Sequence, residues 1–303
     1  MRDCVVYLGT ANWKARAVAM LEAVKAEGWE VYQIAPTDLE TLARLVQGDR
    51  VAFAVTVGMH RPELAARSLL EASGVPVMVL DLGYFRRASG PDDEDGYNQA
   101  GWGRIGWVPS SVPDGERWEA LGLPLEACAF PGEVRKILAL GQVEGDSQHG
   151  LDGQEMESWL WGTALRVKRE YGTPETKIVL RKHPKQAWRP CRKWDGLSYH
   201  ADLAADLAVA DVVVTYNSTA GLEALRLGKW VECSDAAFYR GWAGSLKARR
   251  VATNNFDPRR EGWREDREGF FHRVAWAQWT IEELRDGTAL RFLLPEARIG
   301  GAA

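Results

Sequence analysis

Short apolar runs alternate with amphipathic stretches over the first 83 residues of the chain. The apolar runs have the length and the β-branched content of buried strands, and they lie at 4–10, 29–34, 51–58 and 75–83. Apolar side chains at helical spacing lie between them, at 14–27, 38–47 and 62–73. Strands and helices that alternate in this way predict a parallel sheet with helices on both of its faces.

The same alternation returns from residue 136 onward. It predicts strands at 136–142, 177–184, 210–218 and 229–234, and helices at 155–171, 200–209 and 220–227. Residues 86–131 interrupt the pattern, because their Gly, Pro, Asp and Trp content predicts long loops with short strands. A final helix is predicted at 270–287. The predicted fold class is therefore α/β, with two Rossmann-like, doubly wound parallel-sheet domains.

The two units divide the chain into predicted domains. We expect an N-terminal domain at 1–133, a C-terminal domain at 134–267 and, at 268–303, a terminal helix that returns to the N-terminal domain. Ligands of doubly wound sheets bind at the carboxyl ends of the strands. With the two sheets facing a central cleft, the chemistry should lie in the turns that directly follow strands.

Composition changes this picture only slightly. The apolar content of 46% and the charged content of 26% are those of a globular protein with a sizeable core. The apolar runs are too short to span a bilayer, and four scattered cysteines without an export signal lead us to expect a cytoplasmic location. The net charge of −4 argues against bulk attraction to nucleic acid, although residues 177–194 hold seven Lys or Arg and no acid.

Small hydroxylated residues follow one of the most apolar strands. The run VVVT opens into YNSTAG (216–221), where small side chains let a ligand approach the backbone. Unpaired N–H groups at the N-terminus of the next helix attract anions. Ser218 and Thr219 are therefore candidate anion ligands, and Glu223 is a candidate partner for ribose hydroxyls. A simple helix cap with a surface carboxylate is the alternative interpretation.

Two further strand-end turns carry polar residues. In LRKHPK, His183 lies beside Lys182 and Lys185, a combination that suits a diphosphate, although a purely structural histidine has the same pattern. The turn GQVEGDSQ follows the first strand of the second unit and holds three more candidates: Gln142, Asp146 and Ser147.

Taken together, the three turns resemble the nucleotide-sugar half of GT-B glycosyltransferases, and the capsular-polysaccharide transferases in particular. The resemblance covers residues 136–235 and rests on Gln-x-x-x-Asp-Ser, on His-Pro after a basic strand, and on Ser-Thr-x-Gly-x-Glu. It implies a nucleotide-sugar co-substrate, with a UDP-sugar expected, held by Gln142, Asp146, Ser147, Lys182, His183, Ser218, Thr219 and Glu223. Trp230 departs from the pattern, since such families usually carry Pro after Gly-Lys.

The N-terminal half is similar to phage glycosyltransferases that modify hydroxymethylated pyrimidines in DNA. This likeness rests on DLGYFRR (81–87) and Gly-Trp-Gly-Arg (101–104), and it implies an acceptor-binding domain with double-stranded DNA as a partner. The candidate acceptor-binding residues are Asn12, Trp13, Arg86, Arg87 and Arg104. Further phosphate contacts could come from Lys247, Arg249, Arg250, Arg259 and Arg260.

Sugar transfer needs a group that stabilises the leaving phosphate and a group that takes the proton of the acceptor hydroxyl. Lys182, His183 and the helix N-terminus at Ser218 suit the first task. The candidates for the second task are, in order, Asp81, Asp146 and His60. A cap on the following turn is the alternative for Asp81. Because no Asp-x-Asp motif stands at a strand end, we expect that neither a metal nor another cofactor is required.

Other functions share parts of these features. A capsule or lipopolysaccharide transferase would use the same donor half with a saccharide acceptor, and a sugar-nucleotide epimerase of the same fold would need no acceptor. A dinucleotide-dependent dehydrogenase is disfavoured, since neither GTANWK nor GQVEGDS has Gly-x-Gly-x-x-Gly spacing. A non-catalytic nucleic-acid-binding module would use residues 177–194 but leaves two α/β units unexplained.

Overall fold

The chain forms two compact units. A computed structural model describes residues 4–9, 15–58, 61–89, 93, 95–128, 132–146, 148–199, 202–242 and 263–297. Unit 1 comprises Met1–Gly122 with Phe270–Ala303, and unit 2 comprises Leu123–Gly269. Thus the last part of the chain belongs to the same unit as its first part.

The strands and helices follow one another along the described residues. The strands are β1 (Cys4–Leu8), β2 (Glu30–Ile34), β3 (Val51–Val57), β4 (Val77–Leu82), β5 (Asn98–Trp102), β6 (Val134–Leu140), β7 (Gly172–Arg181), β8 (Gly196–Ser198), β9 (Val212–Thr215), β10 (Trp230–Cys233) and β11 (Gln278–Trp279). The helices are α1 (Ala15–Ala26), α2 (Leu39–Gln47), α3 (Arg61–Ala72), α4 (Glu116–Ala120), α5 (Gly153–Tyr171), α6 (Leu203–Ala208), α7 (Thr219–Arg226), α8 (Trp263–Ala275), α9 (Ile281–Arg285) and α10 (Thr288–Glu296).

Unit 1 is built on a mixed sheet with the strand order β11-β5-β4-β3-β1-β2. Strands β1 to β4 are parallel, and the predicted alternation of four strands with three helices is confirmed. The predicted parallel sheet thus spans β1 to β4, and it is extended by two strands of the opposite direction, because β5 pairs antiparallel with β4 and β11 pairs antiparallel with β5. The loop-rich region therefore supplies a strand that extends the sheet.

The C-terminal tail is not the single helix predicted at 270–287. It breaks after α8 into β11, α9 and α10, and a capping box between Thr280 and Glu283 begins the new helix. Trp279 is fully buried, and Arg117 lies 4.3 Å from the centre of its ring and 2.5 Å from Glu283. The tail thus contributes core side chains to unit 1.

Unit 1 has a hydrophobic core on each face of its sheet. On one face, side chains of α1, α9 and α10 pack around Phe53 and Trp102, whose rings meet edge to face at 5.7 Å. On the other face, Leu42 and Leu70, from α2 and α3, pack against β1, β3 and β4. Burial on both faces explains why these strands are continuously apolar rather than alternating.

Unit 2 contains a parallel sheet with the order β10-β9-β6-β7-β8. The prediction of a second doubly wound parallel unit is confirmed. Its core forms where Met156, Leu160 and Ala164 of α5 pack against β6, β7 and β9. In the described part of the chain, no helix is both long and apolar enough to cross a membrane.

A buried carboxylate fixes the basic loop that follows β7. Glu157 of α5 is 1% exposed and accepts hydrogen bonds from four donors at 2.9 to 3.1 Å: the backbone N–H and the thiol of Cys191, the backbone N–H of Arg192 and the indole N–H of Trp194. Burial raises the pKa of Glu157, but the hydrogen bonds from Cys191, Arg192 and Trp194 outweigh burial and hold this pKa below its usual range. The loop therefore depends on the ionised form of Glu157.

Replacing Glu157 by Gln should destabilise unit 2 by about 2–3 kcal/mol at pH 7, because an amide cannot accept all four hydrogen bonds and directs an N–H group of its own at some of the donors. The lowered pKa means that the carboxylate stabilises the fold above pH 4.5 and that this contribution is lost as the pH falls through the folded pKa. Urea unfolding of the parent and of Glu157→Gln between pH 7 and pH 3 measures both effects. Glu170→Gln, an exposed change on the same helix, is the control. A pH-independent difference would contradict the role of the charge.

Candidate functional site

Polar turns gather at one edge of the unit 2 sheet. Because its strands are parallel, their carboxyl ends all reach the same edge. Four neighbouring strands, in the order β9-β6-β7-β8, end there at intervals of about 5 Å. The turns that follow three of them contain five of the predicted donor-binding residues, so the sheet brings these to one edge: Gln142, Asp146, Lys182, His183 and Ser218.

The turn after β9 leads into the N-terminus of α7. Ser218 is the N-cap residue, and its hydroxyl accepts a hydrogen bond from the N–H of Ala220 at 3.2 Å. The carbonyl of Ser218 accepts a hydrogen bond from the Tyr239 hydroxyl at 2.5 Å, and a Cβ on Gly221 would come within 2.4 Å of the same hydroxyl. Ser218 therefore caps α7, as the helix-cap interpretation predicts. Position 221 must be glycine because any side chain there would collide with the Tyr239 hydroxyl. Half-buried Thr219 begins the helix at its positive end.

Gln142 connects the turn after β6 to the turn after β9. Its amide donates a hydrogen bond to the side-chain oxygen of Asn217 at 2.8 Å and accepts one from the backbone N–H of Asn217 at 3.1 Å. The Asn217 amide in turn donates to the carbonyl of Gln148 at 3.1 Å. Gln142 is 9% exposed, and in this structure it holds two turns in register.

Asp146 and His149 lie in the same turn after β6. Asp146 is exposed and accepts a hydrogen bond from the N–H of Gln148 at 2.8 Å. His149 accepts one from the N–H of Leu151 on Nδ1 at 3.0 Å, which leaves the proton of the neutral ring on Nε2. Burial lowers the pKa of His149, and the Asp146 carboxylate partly opposes this. The imidazole is therefore neutral at pH 7.

The turn after β7 orients His183. Its Nδ1 accepts a hydrogen bond from the backbone N–H of Lys185 at 3.1 Å, and the backbone N–H of His183 donates to the side-chain oxygen of Gln186 at 3.2 Å. The ammonium of Lys182 lies 5.8 Å from the centre of the Tyr199 ring, at the end of the neighbouring strand β8. Lys182 and His183 are both half-buried, so they lie at the sheet edge and remain partly accessible to solvent.

Glu223 is held within its own helix. Its carboxylate forms an ion pair with Arg226 at 3.0 Å, and Arg226 also donates to the carbonyl of Pro124 at 3.0 Å. This arrangement matches the surface-carboxylate interpretation of Glu223, and the contact with a ribose stays a prediction. Ser147, the remaining predicted donor-binding residue, lies outside the described residues.

In unit 1, Asp81 lies at the carboxyl end of β4, where its side chain is 31% exposed. Its Oδ1 accepts a hydrogen bond from the N–H of Leu82 at 2.7 Å and lies 3.6 Å from a guanidinium nitrogen of Arg16. Burial lowers the pKa of Arg16, and Asp81 partly restores it. The carboxylate therefore caps its own turn and also faces a partly buried cation.

A second polar pair occupies the same end of the unit 1 sheet. Tyr7, near the end of β1, is 3% exposed, and its ring covers Gly9, where a Cβ would come within 2.4 Å of it. Burial raises the pKa of Tyr7, and Glu63 of α3 raises it further. Neither residue was a candidate from sequence, since Tyr7 lies inside an apolar run and Glu63 follows Pro in an ordinary helix start.

The predicted acceptor-binding residues are only partly described. Arg86, Arg87 and Arg104 are exposed, and Arg86 has a backbone φ of 44°. Asn12, Trp13 and His60 lie outside the described residues, as do Lys247, Arg249, Arg250, Arg259 and Arg260. In the ranges that the structure describes, no cluster of three His, Cys, Asp or Glu side chains could hold a metal ion.

Sequence reasoning also missed residues beside the predicted ones. Arg16 stands in the first turn of the helix that follows a strand-end turn, which is a position that could have been searched for cations. His149 is three residues beyond Asp146 in the same polar turn. Tyr199 follows β8, a strand of three residues that is too short to show periodicity.

No family model matches the chain, and no curated protein matches it. Two solved structures from Thermosulfurimonas dismutans are similar in fold. The KpsC β-Kdo 2,4 transferase is 16% identical, with a TM-score of 0.57 over 90% of each chain. The KpsC β-Kdo 2,7 transferase is also 16% identical, with a TM-score of 0.57 over 95% of this chain and 99% of the other. The chain thus has a glycosyltransferase-like fold built from Rossmann-like units of the GT-B type.

Proposed function

We propose that the protein is a glycosyltransferase that moves a sugar from a nucleotide-sugar donor to an acceptor hydroxyl. The observation that carries this proposal is the meeting of three polar turns at one edge of the unit 2 sheet: 142–146, 182–186 and 216–219. The likeness in fold to two transferases of sugars supports it.

Unit 2 would hold the phosphate of the donor. The N-terminus of α7 provides a positive helix end with Ser218 and Thr219 beside it, and Lys182 adds a positive charge at the same sheet edge, from the turn after β7, two strands away from β9. His183 stands in the same turn as Lys182, and the hydrogen bond that its Nδ1 accepts from the N–H of Lys185 orients its ring. These groups would stabilise the negative charge that develops on the leaving phosphate.

Unit 1 would activate the acceptor. Asp81 combines a strand-end position, partial exposure and a neighbouring guanidinium that orients its carboxylate. A carboxylate oriented in this way can take the proton of the acceptor hydroxyl while that hydroxyl attacks the anomeric carbon of the sugar. The Arg16–Asp81 pair is therefore the proposed catalytic centre of this unit, with Asp81 as the base and Arg16 as its positioning residue.

A saccharide is the acceptor that the comparisons favour, because both similar structures are named as Kdo transferases. The same names add a nucleotide-activated Kdo to the UDP-sugars as a donor to be assayed. DNA containing hydroxymethylpyrimidine is the second candidate, and the exposed side chains of Arg86, Arg87 and Arg104 support it, since phosphate contacts need exposed cations.

An assay of nucleotide sugars tests the proposed function under three conditions: with a saccharide acceptor, with hydroxymethylated DNA and with no acceptor. We expect sugar transfer to a saccharide acceptor, or to hydroxymethylated DNA at low salt, where phosphate contacts are strongest. Mass spectrometry of the acceptor and of the released nucleotide measures the transfer. Conversion of the donor without any acceptor would identify an epimerase instead, and an unchanged donor in every condition would contradict the proposal.

Ser218→Ala and His183→Ala should each weaken nucleotide-sugar binding by about 1–3 kcal/mol, the usual loss for a charge-assisted or buried hydrogen bond. Calorimetry on the folded variants measures this. Asp38→Ala is the matched control for Ser218→Ala, because Asp38 caps α2 in unit 1 and its loss removes a cap without touching unit 2. Unchanged affinity in both site variants would mean that the donor binds elsewhere.

Asp81→Asn should keep donor affinity and lower turnover at least about a hundredfold, the lower end for loss of a general base. The isosteric amide retains an oxygen that can accept from the N–H of Leu82, so the turn should persist. Steady-state and binding measurements on the same preparation separate the two effects. Full turnover in this variant would exclude Asp81 as the base.

A further inference from the structure

Tyr199 is an aromatic side chain that the folding of unit 2 does not use. It directly follows β8, the edge strand of the sheet, and is 69% exposed. Ser198, the preceding residue, is 6% exposed, so the chain turns from the core to the surface between these two positions. The apolar surface of the Tyr199 ring therefore remains largely exposed to solvent after folding.

The backbone that carries Tyr199 is firmly held. The hydroxyl of Ser198 donates to the carboxylate of Asp206 at 2.5 Å, and Arg181 forms a buried ion pair with the same carboxylate. The N–H of Lys182 donates to the carbonyl of Ser198 at 3.3 Å, which ties the end of β7 to the end of β8. A ring presented from a fixed backbone loses little entropy when a ligand covers it.

The position of Tyr199 relates it to the proposed phosphate site. The Lys182 ammonium lies 5.8 Å from the centre of the Tyr199 ring, and His183 directly follows Lys182 in the chain. In the order β9-β6-β7-β8, the ends of β9 and β8 are three strand spacings apart, roughly 14 Å. This span is comparable with an extended nucleotide whose phosphate points towards α7 and whose base lies over β8.

We propose that Tyr199 is the platform on which the nucleobase of the donor stacks. The inference rests on the proposed function, and it identifies the part of the donor that is bound at the β8 edge. Stacking uses the face of the ring and not its hydroxyl, so it requires an aromatic side chain but tolerates different bases. Lys182 would then lie between the base and the phosphate, where its charge serves the phosphate.

An apolar partner surface is the competing explanation for the exposed ring. Leu197 lies in β8, two residues before Tyr199, and is 42% exposed; residues two apart in extended backbone share a face. A protein partner that covers this edge would contact Leu197 and Tyr199 together, whereas a nucleobase stacked beside Lys182 needs only the ring. Leu197 is therefore the matched control.

Calorimetric titration of the full chain tests the proposal. The titrants are CMP, UDP and GDP, which carry a base, and inorganic diphosphate, which does not. The proteins are the parent, Tyr199→Phe, Tyr199→Ala and Leu197→Ala. Since Tyr199 is exposed, its replacement should leave the fold intact, and urea unfolding checks this. Proton NMR of the bound nucleotide adds a second readout, because a stacked ring shifts the base protons upfield.

We expect Tyr199→Ala to weaken binding of the preferred nucleotide about 5- to 140-fold and to leave inorganic diphosphate unaffected. Tyr199→Phe and Leu197→Ala should bind like the parent, and the upfield shift should vanish only in Tyr199→Ala. Parent-like nucleotide affinity and an unchanged shift in Tyr199→Ala would overturn the proposal. Equal weakening of nucleotide and diphosphate would also overturn it. A parent protein that binds none of the nucleotides would instead remove the proposed function on which it rests.

Discussion

The hydrogen bonds between Gln142 and Asn217 are the interaction on which the candidate donor site depends. Parallel strands bring their carboxyl ends to one edge, but the turns beyond them have no ladder to fix their relative positions. The Gln142 amide supplies that connection by accepting from and donating to Asn217, so the turn after β6 is aligned with the helix start after β9. A ligand that reaches both turns meets groups whose spacing is already set.

Buried polar groups serve the same purpose elsewhere in unit 2. Glu157 fixes the basic loop after β7 by accepting hydrogen bonds from four donors, and Asp206 joins the ends of β7 and β8 through Arg181 and Ser198. Removing a single partner from such a group leaves a buried polar atom unsatisfied, which makes each network intolerant of change. The exposed residues of this edge are thus carried by a rigid frame.

Much of the fold could be predicted from the sequence, because continuous apolar runs such as 51–57 identify strands that are buried on both faces. Short strands are expected within 86–131, but the position of β5 could not be predicted, since NQAGW has neither alternation nor β-branched residues and is ordered by pairing with β4. The turns with Ser218 and His183 were recognised from local spacing. Gln142 was also named, but its role as a connector depends on Asn217, which is 75 residues away. Tyr7, Arg16 and Glu63 were missed because their partners are also far away in the sequence.

The division of unit 1 into two chain segments has a consequence for synthesis. The side chain of Gln278 accepts hydrogen bonds from the backbone N–H groups of Tyr84 and Phe85, both at 2.9 Å. These two donors are synthesised nearly 200 residues before their acceptor, so they cannot form these bonds until Gln278 has been added. Unit 2 is continuous in sequence and has all its pairing partners as soon as Gly269 is made. During translation the second unit can therefore finish folding first, while the β5 edge of the first unit stays unpaired until β11 emerges from the ribosome.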